Sequence, residues 1–100
     1  MNTFFMQLNA TKEWLSLNHA EREVFVETVL HPIFTKYKEV EIKFYDAEAF
    51  TSRCSDIAVM QTEDIVAYSK LMDELRDSPF YTKPYFELVE LIPTTLTNYI

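Results

Sequence analysis

The 100-residue sequence contains no glycine, although average usage would give about seven in a chain of this length. Glycine-rich phosphate-binding loops need backbone positions that other residues occupy only at a steric cost. The absence therefore excludes both the Walker-type loop and the dinucleotide fingerprint. Turns that demand a positive φ must be made by Asn, Asp or Ser, or be replaced by longer connections.

Cysteine, basic residues and long apolar runs are also scarce. The single cysteine, Cys54, cannot form an internal disulfide, which predicts a reducing, cytoplasmic location. Nine Lys and Arg against sixteen Asp and Glu give a formal net charge of −7, so we expect no nucleic-acid partner and no binding to anionic membranes. No apolar window reaches the roughly 18 residues that a membrane span requires.

The apolar residues that are present, 48% of the chain, recur with the periods of strands and helices. They are enough for one compact domain, which we place at residues 1–100. Alternation and β-branched or aromatic content predict four strands. These are Thr3–Asn9, Val40–Asp46, Ser55–Thr62 and Tyr85–Ile92, the last of them stopped by Pro93.

Two segments have the three-to-four spacing of amphipathic helices. The first begins after Asn18, which forms a capping pair with Glu21, and it continues to Tyr37 with a kink or restart at Pro32. The second begins after Thr62, which we take as its cap, and ends in a proline-containing segment.

Strand, helix, strand, strand, helix, strand is the βαββαβ order of the ferredoxin-like sandwich, an α+β fold. Both helices lie on one face of its four-stranded antiparallel sheet. If Phe44 pairs with Ile57, the opposite face holds a mixture of apolar and polar side chains. These are Thr3, Phe5, Gln7, Lys43, Tyr45, Asp56, Ala58 and Met60.

A solvated sheet face is cleanly polar, whereas this one contains aromatic and aliphatic residues. We therefore predict an isologous homodimer that packs sheet on sheet through the open face. The orientation of the fourth strand stays open, because Glu87 and Glu90 have opposite parity and one of them faces inward either way.

Candidate binding residues gather around the hairpin that follows the second strand. They include Tyr45, Asp46, Arg53 and Asp56, and strand pairing is expected to bring Tyr45 close to Asp56. Such a cluster suits a small polar molecule. The plainer interpretation is that Arg53 forms an ion pair with one of the two aspartates and holds the loop in shape.

Two other candidates are His31 and Tyr85. His31 precedes Pro32 and either acts as a base in a helix–sheet cleft or forms a hydrogen bond at the kink. His19 lies too far from it in sequence for both to share one helical turn as metal ligands, so we expect no metal and no cofactor. Tyr85 belongs to an aromatic group that either lines a pocket mouth or packs at the sheet edge. Its other members are Phe80, Tyr81 and Phe86.

Two further hypotheses have weaker support. Cys54, beside Arg53, is a conceivable nucleophile, but no histidine is near it in sequence and a lone cysteine is more often a small buried hydrophobe. RNA-recognition modules share this strand order, yet they use a basic sheet face with exposed aromatic rings. The acidic composition argues against that use.

Four short motifs resemble the darcynin family of bacterial proteins. They are KFYDAEAF at 43–50, RCSD at 53–56, LRDSPF at 75–80 and PYFE at 84–87. Similar residues at Trp14-Leu15, Glu21-Arg22 and Ile92-Pro93 extend the resemblance over nearly the whole chain. It implies a dimeric α+β barrel, a fold shared with cofactor-free monooxygenases, haem-dependent enzymes and stress-response proteins. The family is one of unknown function, so it supplies no catalytic residues.

The sequence leaves three functions open, and it leaves open whether the protein is an enzyme. The first is a dimer that binds a small, partly apolar molecule, with polar contacts from Tyr45, Asp56 and Tyr85. The second is a cofactor-independent monooxygenase or isomerase of an aromatic or polyketide-like substrate, with His31 or Asp46 as the base. The third is a protein-interaction module.

Overall fold

The computed structural model describes residues 1–98, so the proposed domain of residues 1–100 includes two residues outside the described part. The predicted order of strands and long helices is confirmed, with two additional short helices and a π-helical segment, Val26–Leu30, inside the first long helix. The elements are β1 (Asn2–Ala10), α1 (Lys12–Leu15), α2 (His19–Phe25), the π-helical segment, α3 (His31–Lys36), β2 (Glu41–Asp46), β3 (Asp56–Thr62), α4 (Ile65–Asp77), α5 (Pro79–Thr82) and β4 (Phe86–Thr95).

The four strands form one antiparallel sheet in the order β2-β3-β1-β4, which confirms the ferredoxin-like α+β fold. Apolar residues of both long helices join the central strands in one core. Phe25, Leu30 and Ile33 come from the first helix, and Leu71 and Leu75 from α4. Among residues 1–98, no helix is long and apolar enough to cross a membrane.

The pairing register of β2 and β3 differs by one residue from the predicted register. Phe44 pairs with Ala58, not with Ile57, so Ala58 and Met60 face the helices and are fully buried. Ile57 and Val59 face the open side. The sequence-based register was wrong because β3 is apolar at four successive positions, and alternation then does not specify a face.

The fourth strand also departs from expectation. A bulge in the β1–β4 ladder pairs Glu87 with Asn9 and Glu90 with Gln7, so both glutamates lie on the open face. The prediction that one of them faces inward was therefore wrong. The strand also continues through Pro93 to Thr95, because β4 is an edge strand and an edge tolerates a missing N–H.

The first long helix begins as the sequence predicts. The Asn18 side chain accepts from the Glu21 N–H at 2.8 Å and the Glu21 carboxylate accepts from the Asn18 N–H at 2.8 Å, which is a complete capping box. The π-helical segment precedes α3, and Pro32 lies in the first turn of α3. The predicted irregularity at Pro32 is thus a local widening of a continuous helical path.

The second long helix begins two residues later than predicted. Asp64 is its cap and accepts from the Ala67 N–H at 3.0 Å. The buried Thr62 hydroxyl instead accepts from the Asp64 N–H and donates to the Glu39 carbonyl, each at 2.9 Å. Thr62 therefore fixes the turn before the helix. The cap was misassigned because Thr62 and Asp64 lie two residues apart and both have side chains that can cap a helix.

A polar cluster joins α3 to α4 on the outer surface. The Tyr37 hydroxyl donates to the Glu74 carboxylate, and Lys36 Nζ lies 2.9 Å from the same oxygen. The hydrogen bond from Tyr37, and next that from Lys36, lower the pKa of Glu74. The cluster therefore favours the folded state where Glu74 is ionised, and this contribution is lost as the pH falls through the lowered pKa.

Candidate functional site

A pocket of about 410 Å³ lies between the first long helix and the sheet. Half of the residues that line it are aromatic, and these five come from five different elements. They are Trp14, Phe34, Phe44, Phe80 and Phe86. Val26, Leu30 and Ile42 add aliphatic surface, and His31 and Asp56 are the two titratable residues of the lining. The pocket is therefore apolar with two polar groups at defined places.

The aromatic wall is held by contacts between rings. Phe80 stacks on Phe86 with ring centroids 4.9 Å apart, and Phe86 lies 5.1 Å from Trp14. Phe34 and Phe44, which also line the pocket, contact each other with ring centroids 6.1 Å apart. These spacings are typical of favourable aromatic pairs. Phe44, on the edge strand β2, is 45% exposed, so the wall is open to solvent on that side.

Trp14 is positioned by the short helix α1 and by Arg22. The Thr11 side chain caps α1 and also donates to the Pro84 carbonyl at 2.7 Å, which ties α1 to the start of β4. The Arg22 guanidinium lies 5.4 Å above the indole ring and donates from Nε to the Trp14 carbonyl. This cation–π contact orients the indole as part of the wall.

Asp56 is the first residue of β3 and is fixed by its neighbour. Ser55 Oγ donates to the Asp56 carboxylate at 2.7 Å and accepts from the Ala10 N–H at 2.7 Å. The Ala10 bond anchors Ser55 to β1, and Ser55 in turn orients the carboxylate. Only one carboxylate oxygen has a partner among residues 1–98, so the other is available to a ligand.

His31 is the first residue of α3 and lies at the rim of the pocket. Its side chain is mostly exposed, and Nδ1 lies 4.0 Å from the carboxylate of Glu27, one helical turn earlier. A partly solvated imidazole beside a carboxylate can accept or donate a proton. Thus His31 offers proton-transfer chemistry at the entrance, while Asp56 offers a fixed acceptor.

The structure brings two of the six predicted binding residues, His31 and Asp56, into one pocket. Tyr45 pairs with Ile57 and lies on the open sheet face, so the prediction that Tyr45 lies close to Asp56 was wrong. The prediction failed because the one-residue difference in register places Asp56 and Tyr45 on opposite faces of the sheet. Tyr85 lies outside this pocket, with its ring between Trp14 and Phe25 at centroid distances of 5.5 and 4.9 Å.

The hairpin residues have structural partners. Asp46 Oδ1 accepts from the Glu48 N–H at 3.4 Å, and Asp46 is the direct cross-strand partner of Asp56. Among the ion pairs of residues 1–98, none includes Arg53, so the expected pairing with either aspartate is absent. Cys54 is buried, as the interpretation as a small hydrophobe requires.

Sequence reasoning missed most of the aromatic wall. Phe80 and Phe86 were expected at a pocket mouth or at the sheet edge, but Phe34 and Phe44 were not singled out as pocket residues. Trp14 entered only through the family resemblance, because its position in the wall depends on the bonds from Thr11 to Pro84 and Tyr85. Among residues 1–98, no group of three or more His, Cys, Asp or Glu could hold a metal ion.

Solved structures of very different chain length share this α+β fold. HapK from Hahella chejuensis superposes with a TM-score of 0.69 over 98% of this chain and 94% of its own, at 14% identity. A heme-binding protein from Thermus thermophilus gives 0.80, with 20% identity over 92% of this chain and 38% of that one. A mutant chlorite dismutase from Candidatus Nitrospira defluvii gives 0.77 at 8% identity, covering 99% and 41%. This chain thus spans about two fifths of the two longer proteins.

Within that class, the sequence identifies the family. Residues 1–100 match the family described as "Darcynin, domain of unknown function". Darcynin 1 of Acinetobacter baumannii is 43% identical over 86 residues, which cover 86% of this chain and 96% of that protein. Darcynin of Chromobacterium violaceum is 52% identical over 64 residues, 64% of this chain and 81% of that protein. The chain belongs to the darcynin family, which confirms the resemblance in the motifs.

Proposed function

We propose that this protein binds a small, partly apolar molecule in the pocket between the first long helix and the sheet. The observation that carries the proposal is the pocket itself, about 410 Å³ with a largely apolar lining that includes five aromatic residues. Ligand pockets are generally apolar clefts of roughly 300–1,000 Å³ with a few convergent polar groups. Asp56 and His31 are such groups.

We propose further that two copies associate through the open sheet face. Phe5 and Ile92 are each 37% exposed there, and Tyr45 adds an exposed ring. Ile57 and Val59 lie between them on the central strand β3. An apolar stripe across the middle of a sheet, flanked by charged residues, suits a second copy of the same surface related by a twofold axis. The cytoplasmic location stays a prediction from the cysteine content.

Placing a charge in the pocket is expected to abolish binding without unfolding the protein. Phe44→Glu puts a carboxylate on the aromatic wall at a half-exposed position, so the fold tolerates it while an apolar ligand does not. With the neutral apolar fluorophore N-phenyl-1-naphthylamine as the probe, we expect affinity to fall roughly tenfold or more, since tenfold corresponds to about 1.4 kcal/mol.

The neighbouring residue provides the control. Lys43 lies on the opposite face of β2, and Lys43→Glu introduces the same side chain one position away. We expect the probe to bind this variant as it binds the unaltered protein. Equal affinity of all three proteins would show that the fluorophore does not use the pocket. Native mass spectrometry of untagged protein from its own host provides a second readout, as a discrete retained mass.

Because a structurally similar protein is described as heme-binding, we ask whether the residues that line this pocket could bind haem. His31 is a residue type that ligates haem iron. The pocket lining, however, contains no Lys or Arg that could pair with the two propionates of haem, and Asp56 carries the same charge as they do. The residues of this pocket do not fit haem, and no step of the proposal involves it.

A second candidate function is catalysis without a cofactor on an aromatic substrate bound in the same pocket. His31 favours it, because it lines the pocket beside Glu27, whereas the alternative base Asp46 is absent from the lining. We expect His31→Gln to abolish turnover and to preserve binding. The measurements are dioxygen consumption and chromatographic conversion of the substrate with a panel of phenols, with His19→Gln as the control; the absence of both consumption and conversion with the unaltered protein would remove this candidate.

A further inference from the structure

The lining of the pocket carries negative charge and no Lys or Arg, and this determines which ligand charge it favours. Its lining contains one carboxylate, Asp56, and no Lys or Arg, while most of the other lining residues are aromatic or aliphatic. The whole chain carries a formal charge of −7, so its field also favours cations over anions. An anionic ligand would therefore lose its hydration without gaining a partner of opposite charge.

The Asp56 carboxylate is held by a neutral donor. Ser55 Oγ donates to one of its oxygens, and none of the ion pairs among residues 1–98 includes Asp56. Asp46 lies directly opposite it on β2, and side chains in such pairs share a face with Cβ atoms about 5 Å apart. Like charges in this arrangement repel each other, so a positive group near Asp56 would relieve the repulsion.

The aromatic side chains of the pocket also favour a positively charged ligand. The faces of aromatic rings attract cations within about 6 Å of the ring centre. Phe34 and Phe44 both line the pocket as neighbours, with ring centroids 6.1 Å apart. Trp14 adds apolar surface, because its ring already has the Arg22 guanidinium 5.4 Å from the centroid. A bare metal ion would find too few ligands, since no group of three acidic, His or Cys residues occurs in residues 1–98.

We propose that the ligand of this pocket is an organic cation, an amine with an apolar or aromatic body, whose ammonium group binds the free oxygen of Asp56. The body of the ligand then packs against Phe34, Phe44 and Trp14. This inference rests on the proposed binding function and adds the chemical class of the ligand. It assigns to Asp56 the role of anchor and to the aromatic residues both apolar contact and cation–π attraction.

Three molecules of the same length test the charge preference. 4-Phenylbutylamine, 4-phenylbutanol and 4-phenylbutyrate share one apolar body and differ in the charge of the terminal group. Trp14 is the single tryptophan of the chain and lines the pocket, so its fluorescence reports binding, with calorimetry as a second measurement. We expect the amine to bind roughly tenfold or more tightly than the alcohol, as a charge-assisted hydrogen bond would give, and the acid to bind most weakly.

Asp56→Asn tests the anchor. It keeps the size of the side chain and removes the charge, so the amine should lose its advantage and the alcohol should bind as before. Asp77→Asn makes the same change in net charge on the exposed end of α4, outside the pocket, and should keep the preference for the amine. Circular dichroism establishes that both variants are folded.

The outcomes separate this inference from the proposed function. Binding of none of the three molecules would overturn the binding function itself. Equal affinities, or tightest binding of the acid, would leave a binding pocket and overturn the cationic ligand. If Asp56→Asn kept the preference for the amine, the assignment of the anchor to Asp56 would be wrong.

Discussion

Ala58→Arg is expected to yield no folded protein, whereas Val59→Arg is expected to yield a folded monomer. Ala58 is 0% exposed and pairs with Met6 on one side and Phe44 on the other, on the face that the helices cover. A guanidinium at this position is buried without a counter-charge and in a space that fits one methyl group. An unpaired buried charge costs several kcal/mol, which is comparable with the whole stability of a small domain, roughly 5–15 kcal/mol.

Val59 is the adjacent residue and points to the opposite face, between Phe5 and Lys43. In the proposed dimer it lies in the interface, so an arginine there brings two like charges together across the twofold axis. Circular dichroism reports folding, and size-exclusion chromatography with light scattering reports the subunit count. A folded Ala58→Arg protein would contradict the register. An unaltered protein that is monomeric at micromolar concentration would contradict the dimer.

The order of elements was predictable because it depends on local signals. The capping box at Asn18 and Glu21 is complete in the structure, as its spacing predicts. The helical stripe through Phe25 and Ile33 is buried as expected. Local pattern and global fold agree in these segments, which is typical of natural sequences. The fold class therefore followed from local periodicity and capping signals together with the order of the elements.

The faces of the strands were less predictable. β3 is apolar at four successive positions, Ile57 to Met60, and its true register depends on packing against Phe4 and Met6 rather than on alternation. In β4, the bulge beside Val89 inserts one residue, so that Glu87 and Glu90, which a regular strand would place on opposite faces, lie on the same face. Nothing in the sequence marks a bulge at this place, and without glycine the usual signal is missing.

These strand errors explain the outcome at the candidate site. Asp56 lies in the pocket because the register of β3 turns that side chain towards the helices, whereas Tyr45 lies on the open face, where the sequence also placed it. His31 was singled out by its position before Pro32 in the first long helix, which does not depend on strand register. The aromatic wall combines five elements, so no local pattern predicts it.

Phe80→Ala is expected to destabilise the protein by about 3–5 kcal/mol and to weaken ligand binding. Phe80 is 1% exposed, although it lies on the four-residue helix α5, and its ring stacks on Phe86 at 4.9 Å and contacts Tyr81 at 5.4 Å. Removing it leaves a cavity that the neighbouring rings cannot fill without moving. Because Phe80 also lines the pocket, the wall behind the ligand is lost at the same time.

Phe50→Ala is the matched control, since Phe50 is 89% exposed in the loop between β2 and β3. The chemical change is identical, but no buried contact is removed, so the free energy of unfolding should change by no more than about 0.5 kcal/mol. Urea denaturation gives both values, and the slope with urea shows whether the unfolding transition is unchanged. If the two variants lost equal stability, the short helix α5 would not be part of the core. If Phe80→Ala lost stability but bound the amine probe with unchanged affinity, the ligand would lie nearer to Phe44 and His31 than to the inner wall.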